Sequence, residues 1–511
     1  MVGVPGRSKG CLTCRERRKR CDLQQPTCAN CIRGRFVCGG YQREVIIVHV
    51  GIPGQGQSGR YRSRNPRPPR QSSQLVVPTT PSAADHRIKD LNRTALELGL
   101  FTAFWDLYYP KGTEKNVPTE VPIRDTIRWG HSIQSMIPGS SLTRSALLAL
   151  TVSELGQSKQ DENMVHRGME LYGTSLARLA CELKTPSKIT HTELAATCRL
   201  LALYEAGGNS DSPQNWLRHT EGLLKLIELQ DPEIFSSPGN HEMFLEARYN
   251  ALVIALTKRK ANFISKPEWK TKPWNGRQKN TLDSIMDILV TMSEIIEDFD
   301  RALLDGTYND NERNAIEEKC WNLKAQLRAW YQECVTVFTP LLSAEDADCL
   351  LEDIDGTPTE DLPDRLHKYS LASLYTIVLY WTANILLHDI LGALPQSVAY
   401  TTLAEEGFLD FGTIDSTPFC TCIARSLRYF IGKDAGLSAA VSMAFPVHVV
   451  AESIALKART NMNSYHYTDS REVEKILKDI KRAPGGKWIH TLVENPQFPL
   501  VTNRIIEETS G

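Results

Sequence analysis

The chain has 511 residues, 23% of them charged, with a formal net charge of −1, so it is long enough for two or three domains while its overall charge says nothing about partners. The distribution says more: residues 1–70 hold 15 Lys and Arg against 3 acids (Glu16, Asp22 and Glu44), and the remainder holds 44 against 57. A basic head on an acidic body confines the electrostatic footprint of a polyanion ligand to one end and excludes the body as a carrier of it.

Met1 to Gly10 is rich in Gly, carries Pro5, Arg7 and Lys9 and has no apolar run, so no secretory signal is expected there. Six cysteines follow in two matching runs, Cys11, Cys14, Cys21 and Cys28, Cys31, Cys38, each a C-x-x-C followed by six residues and a third cysteine. Thiolate is a soft ligand that favours zinc, and a C-x-x-C turn presents two sulfurs to one ion. Two separate tetrahedral thiolate sites would need eight cysteines, so with six, two sulfurs must be shared. Three disulfides, with fifteen pairings, and an iron–sulfur site are the competing readings. An odd total of 13 cysteines without a disulfide-like framework fits a reducing compartment and counts against the first. The spacing differs from usual iron–sulfur runs and counts against the second.

The layout, with Asp22 after the third cysteine, Pro26 between the runs and the basic stretch Arg15-Glu16-Arg17-Arg18-Lys19-Arg20, resembles the fungal zinc binuclear cluster family of transcription factors. The resemblance implies two zinc ions bridged by Cys11 and Cys28, a head of residues 1–43, and a first short helix that enters the DNA major groove. It implies that Arg18 takes the position from which the family's Lys reaches guanines, usually in a CGG triplet. Arginine can make the bidentate pair with guanine O6 and N7. Arg15, Arg17 and Arg20, with Lys9 flanking, are then expected at phosphates. Five cations in six residues are unfavourable in an isolated helix, and phosphate contacts explain them. A head this small cannot build an adequate apolar core, so metal must supply its folding free energy.

Residues 44–84 contain no acid after Glu44 and are dominated by Pro, Gly, Ser, Gln and Arg, the composition of a disordered basic linker. Its arginines suit nonspecific phosphate affinity or nuclear import. Gly54-x-Gly56-x-x-Gly59 imitates a dinucleotide-binding turn, but Pro66, Pro68 and Pro69 follow where that motif must open a helix.

From residue 85 to 511, apolar residues recur at helical spacing and strand-like alternation is nearly absent, so the fold class is mostly α, with one large all-helical domain. Val165, Met169, Tyr172, Leu176, Leu179 and Leu183 are expected on one helix face. Breaks are expected near 110–122, 207–213, 232–239, 266–276 and 355–363. Ser370 to Leu387 is 18 uncharged residues, yet two Ser, two Thr and Asn384 dilute it, so it reads as a buried helix of a large domain. Leu282, Ile285, Leu289, Met292, Ile296, Phe299 and Leu303 form a heptad run that suits either a dimer seam or intramolecular packing. The seven remaining cysteines read as buried thiols. Leu203-Tyr204-Glu205, then Trp216, His219 and Gly222, then Phe263 to Trp269, resemble the helical regulatory domain that follows the cluster in many fungal transcription factors. Here His219 reads as a structural histidine.

These readings combine into a nuclear, zinc-dependent, sequence-specific regulator of RNA polymerase II transcription. Its expected partners are double-stranded DNA, the transcription machinery, a second copy or partner factor and a small effector, with no membrane. The alternative is a zinc-stapled nucleic-acid or protein interaction module on a helical scaffold. No phosphate loop, G-x-S-x-G elbow or H-E-x-x-H motif supports an enzyme.

Overall fold

The computed structural model describes residues 11, 13–14, 17, 19–24, 27–38, 83–111, 123–184, 190–209, 213–304, 309–338, 358–367, 371–394, 415–432 and 434–459. The linker composition, the glycine motif at 54–59, Cys349 and the stretch 460–511 lie outside them. The chain divides into two compact units, Met1–Thr79 and Thr80–Gly511. All regular structure among the described residues is helical.

In the first unit, α1 spans Ala29–Arg33. The second unit opens with α2, whose backbone is helical from Ala83 to Tyr108 and so starts just inside the stretch read as linker. There follow α3 (Ile123–Met136), α4 (Ser141–Ser158), α5 (Glu162–Lys184), α6 (His191–Tyr204) and a π-turn at Glu205–Asn209. Next come α7 (Pro213–Glu228), α8 (Pro238–Lys258), α9 (Pro267–Thr271), α10 (Thr281–Leu304) and α11 (Asp310–Phe338). The series closes with α12 (Leu362–Leu366), α13 (Leu371–Ala393), α14 (Thr417–Phe430) and α15 (Gly436–Arg459).

Local chemistry sets these boundaries. Thr190 and Glu193 form a reciprocal capping box that starts α6, and Ser140 accepts from the Thr143 N–H at 3.3 Å to start α4. Proline at the first turn starts α7, α8, α9 and α14, where its missing N–H costs no helical hydrogen bond. Arg259, with φ 53°, takes the left-handed conformation that ends α8.

The core gathers Phe104, Trp129, Phe299, Tyr331 and Trp381 from five helices. Helix α13 is apolar on every side and buried on every side, as such a helix must be. Both α13 and Gly436–Lys457 of α15 are long and apolar enough to cross a membrane, but 89% and 61% of their most apolar windows are buried inside the protein. In the heptad run, Ile285, Leu289, Met292, Ile296 and Phe299 are buried in this same core, which removes them from any dimer seam; the Leu303 side chain lies outside the described residues.

One expectation is refined and one is corrected. On α5, Met169 and Leu183 are 53% and 56% exposed, while Gly168, Ser175 and Leu179 are buried. The contact face is offset because α5 meets α4 through small residues: a Cβ on Gly168 would sit 2.8 Å from Ser153 Cβ and 2.9 Å from its backbone. Nor are all the body's cysteines buried, since Cys181 is exposed; Cys198, Cys320, Cys334, Cys420 and Cys422 are buried. Burial pushes the Cys198, Cys320 and Cys420 thiols up to about 12, which keeps them unreactive.

Candidate metal centre and nucleic-acid interface

Each C-x-x-C of the head makes the same local turn. The Cys14 N–H donates to Cys11 Sγ at 3.4 Å, and the Cys31 N–H donates to Cys28 Sγ at 3.3 Å. In the second run Cys28 is thereby the N-cap of α1, and Asp22 strengthens that end by accepting from the Ala29 N–H at 2.9 Å. In the first run the chain is helical at Thr13 and Cys14, with the Arg17 N–H donating to the Thr13 carbonyl at 3.1 Å and the Lys19 N–H to the Cys14 carbonyl at 2.9 Å.

The two turns bring the sulfurs into two interlocked groups, Cys11, Cys14, Cys21, Cys28 and Cys11, Cys28, Cys31, Cys38, with the atoms of each group within 4.8 Å of one another. Cys11 and Cys28 belong to both. Their sulfurs are 3.7 Å apart, with Cys14–Cys28 at 3.6 Å and Cys11–Cys31 at 3.8 Å. A tetrahedron with Zn–S bonds of about 2.3 Å has sulfur–sulfur edges of about 3.8 Å, so the donor set fits zinc in size and in chemistry. Desolvation, the largest cause, raises the Cys11 and Cys14 thiols and takes Cys31 to about 12. Among the described residues no cationic side chain is among the causes of those shifts, and a dication is a charge that would make thiolates stable there. Among the described residues Cys11, Cys14, Cys28 and Cys31 are also the head's whole buried cluster, so no described apolar core competes with metal as the source of its stability.

Around this centre the described cations Arg17, Lys19 and Arg20 are all exposed. Lys9, Arg15 and Arg18 lie outside the described residues. The Arg17 guanidinium lies 3.4 Å over the centre of the Phe36 ring, and Asn30 Nδ2 donates to the Arg20 carbonyl at 2.5 Å. Sequence spacing singled out neither Phe36 nor Asn30; the signal available was their position within the second run, opposite the basic stretch of the first.

In the body, the residues of the second resemblance meet. Tyr172 Oη donates to Glu205 and lies 3.0 Å from His219 Nε2, and the Tyr172 ring stacks on Tyr204 at 4.2 Å. Burial lowers the His219 pKa, so a neutral ring is held by a tyrosine, which is the structural role expected of it. Phe263 and Trp269 pack edge to face at 4.6 Å beside Phe244. Among the described residues no third donor joins Cys420 and Cys422 in a metal-sized group. Between α2, α3, α6, α8, α10, α13 and α15 a cavity of about 100 Å³ is walled by Trp129, Met286 and Leu379 and by the guanidiniums of Arg199 and Arg248, each paired with an acid.

A basic head of under 50 residues, folded around two four-sulfur groups that share two sulfurs, defines the class of zinc-stapled nucleic-acid-binding modules. Residues 9–45 match the Fungal Zn(2)-Cys(6) binuclear cluster domain, and the chain carries that domain, which holds two zinc ions. Over 33 residues the chain is 61% identical to White-opaque regulator 2 of Candida albicans, covering 6% of this chain and 7% of that one. Over 32 residues it is 56% identical to an uncharacterized transcriptional regulatory protein of Schizosaccharomyces pombe, 6% of each chain. A longer match, 29% over 125 residues, joins 24% of this chain to 27% of an uncharacterized protein of Emericella nidulans. The chain thus spans about a quarter or less of the length of these relatives. No solved structure matches the chain.

Proposed function

We propose that this protein is a nuclear transcription factor, not an enzyme, that reads CGG-like triplets and regulates RNA polymerase II transcription. The observation that carries the reading is the pair of interlocked four-sulfur groups sharing Cys11 and Cys28, set in a basic head. Cys14 and Cys21 complete one tetrahedron with the shared pair, and Cys31 and Cys38 complete the other. Zinc held by these six cysteines would supply the positive charge and cross-links that a head this small needs. The chain's own residues do the rest: Arg18 pairs with guanine O6 and N7, while Lys9, Arg15, Arg17 and Arg20 meet phosphates and set the register. About four to six neutralised phosphates give a log–log salt slope of about −4 to −5. Residues 1–43 form the reading head, 44–84 a basic tether and 85–511 the regulatory body. The acidic balance of that body keeps it off the duplex. One triplet specifies too little of a genome, so a second copy or a partner factor completes the site.

The test is selection from a randomised duplex pool with the full chain, with zinc and again after chelation. Zinc-dependent enrichment of CGG-like triplets is the expected result, and Arg18→Ala relaxes the preference while zinc content stays. Salt-sensitive binding without any enriched sequence would overturn the reading.

A further inference from the structure

The residue that orients the reading surface lies in the half of the head that does not read. We infer that Phe36 is a positioning residue for DNA binding: its ring seats the Arg17 guanidinium and fixes the direction in which that fork of donors leaves the head. The inference rests on the DNA-binding reading above.

Burial among the described residues does not account for an aromatic side chain at Phe36. Among the described residues the head's buried cluster consists of cysteines alone, and Phe36 is 45% exposed. What it does contact is Arg17, whose guanidinium carbon stands 3.4 Å from the ring centre, the distance of a flat stack. The ring itself is held from its own side. The Phe36 N–H donates to the Cys31 carbonyl at 2.9 Å, and Arg35, with φ 53°, turns the chain back to allow it. Gly34 leaves the space, since a Cβ there would lie 2.6 Å from Phe36 Cδ2. A second tether runs beside the stack, from Thr13 Oγ1 to the Val37 carbonyl at 2.9 Å. Thr13 and Arg17 are four residues apart on one face of the first turn, so the 36–37 segment grips that turn at two successive points.

An exposed arginine samples many rotamers, and each must be given up when it meets a phosphate. A guanidinium seated 3.4 Å over a ring centre has already given up most of them, while a ring accepts no N–H hydrogen bond at the fork's edge, which stays available for a bidentate phosphate contact. Phe36 therefore strengthens binding without touching DNA, and it does so only through Arg17.

The experiment measures affinity of the zinc-loaded full chain for the duplex that the wild type selects, for Phe36→Ala, Phe36→Leu, Phe36→Tyr, Arg17→Ala and the Phe36→Ala/Arg17→Ala double variant, with zinc counted in each. An exposed cation–π seat corresponds to about a 2- to 5-fold weakening in Phe36→Ala and Phe36→Leu. Phe36→Tyr, which keeps the ring, should bind like the wild type. The double variant should bind no worse than Arg17→Ala, and all should hold two zinc ions. Phe36→Leu covers the case in which the alanine variant loses zinc, because it keeps apolar bulk and removes only the ring. Wild-type affinity in Phe36→Leu, or a double-variant loss equal to the product of the single losses, overturns this inference and leaves the DNA reading intact. A wild type that selects no duplex overturns both.

Discussion

Replacing Cys28 by alanine should cost the head far more than replacing Cys38, although each removes one sulfur. Cys28 lies in both four-sulfur groups, whereas Cys38 lies in one. It also caps α1 through its 3.3 Å bond from the Cys31 N–H. In the proposed ligand set, Cys28→Ala leaves two three-sulfur sites joined by a single bridge, and Cys38→Ala leaves one complete site beside a defective one. Structural zinc contributes on the order of 10 kcal/mol to the folding of a small site, and the head's buried residues, among those described, are themselves the cysteines, so a head this small has little apolar burial to offset the loss. Losing even half of that figure is about 5 kcal/mol, or several thousand-fold in the folded population. Purified full chains exchanged into zinc-free buffer should show two zinc ions in the wild type, close to one in Cys38→Ala and near none in Cys28→Ala. Duplex binding should vanish in the last while the body's thermal transition stays in place. A Cys28→Ala protein that retains two zinc ions and wild-type DNA affinity would refute the shared-sulfur assignment.

Three further outcomes follow from the body. Arg248, 4% exposed, reaches Asp283 Oδ1 at 3.3 Å and Asp287 Oδ1 at 2.6 Å, with Lys279 also paired to Asp287, so Arg248→Ala leaves Asp283 as the uncompensated carboxylate; a loss of about 3–5 kcal/mol in urea unfolding is expected, and less than 1 kcal/mol would show the pair to be dispensable. Gly168→Ala forces a methyl against the Ser153 backbone at 2.9 Å, and should lower stability by about 1–3 kcal/mol with the helical signal retained; an unchanged melting temperature would contradict the tight α4–α5 contact. In α13, burial raises Asp389 to about 6 although Ser416 and Ser453 donate to it at 2.9 Å, and burial together with the charges of Lys324 and Lys457 lowers His388 to about 4. Because Asp389 titrates above its unfolded value, its contribution to stability is lost as pH rises from about 4 to 6. His388 titrates below its unfolded value, so its contribution is lost as pH falls from about 6.5 to 4. The two nearly cancel in the wild type, with Asp415, bonded by its carbonyl to His388, as the other acid at the site. Asp389→Asn should unmask the histidine as an extra loss of about 2–3 kcal/mol between pH 6.5 and 4, and parallel stability curves for variant and wild type would refute the assignment.

Much of this molecule was legible before any coordinates, and the reason differs from region to region. Metal chemistry is local: C-x-x-C spacing and a count of sulfurs against tetrahedral demand suffice to require sharing, because a short turn leaves the two thiols few other geometries. Helix boundaries in the body follow from residues that act on their own neighbours, such as Thr190 with Glu193 at the start of α6 and Pro238 at the start of α8. The long uncharged stretch of α13 suited either a buried helix or a membrane span, and 89% of its most apolar window is buried inside the protein. What pattern alone misjudged was which partner each face meets. The stripe on α5 was read from hydrophobicity, but the face that packs is the one where Gly168 and Ser175 let α4 approach, a matter of shape that periodicity does not encode. The heptad run of α10 carries the same pattern whether its partner is another chain or the rest of its own fold, and burial of Ile285, Leu289 and Met292 in the body's core decides that. The stack of Arg17 on Phe36 joins residues 19 positions apart through two turns that the cysteine framework brings together. Composition and spacing thus determined the chemistry of this protein and the kind of elements it would build, because those depend on residues adjacent in the chain; which side chains meet across elements was left to the tertiary structure, because packing selects on volume and direction.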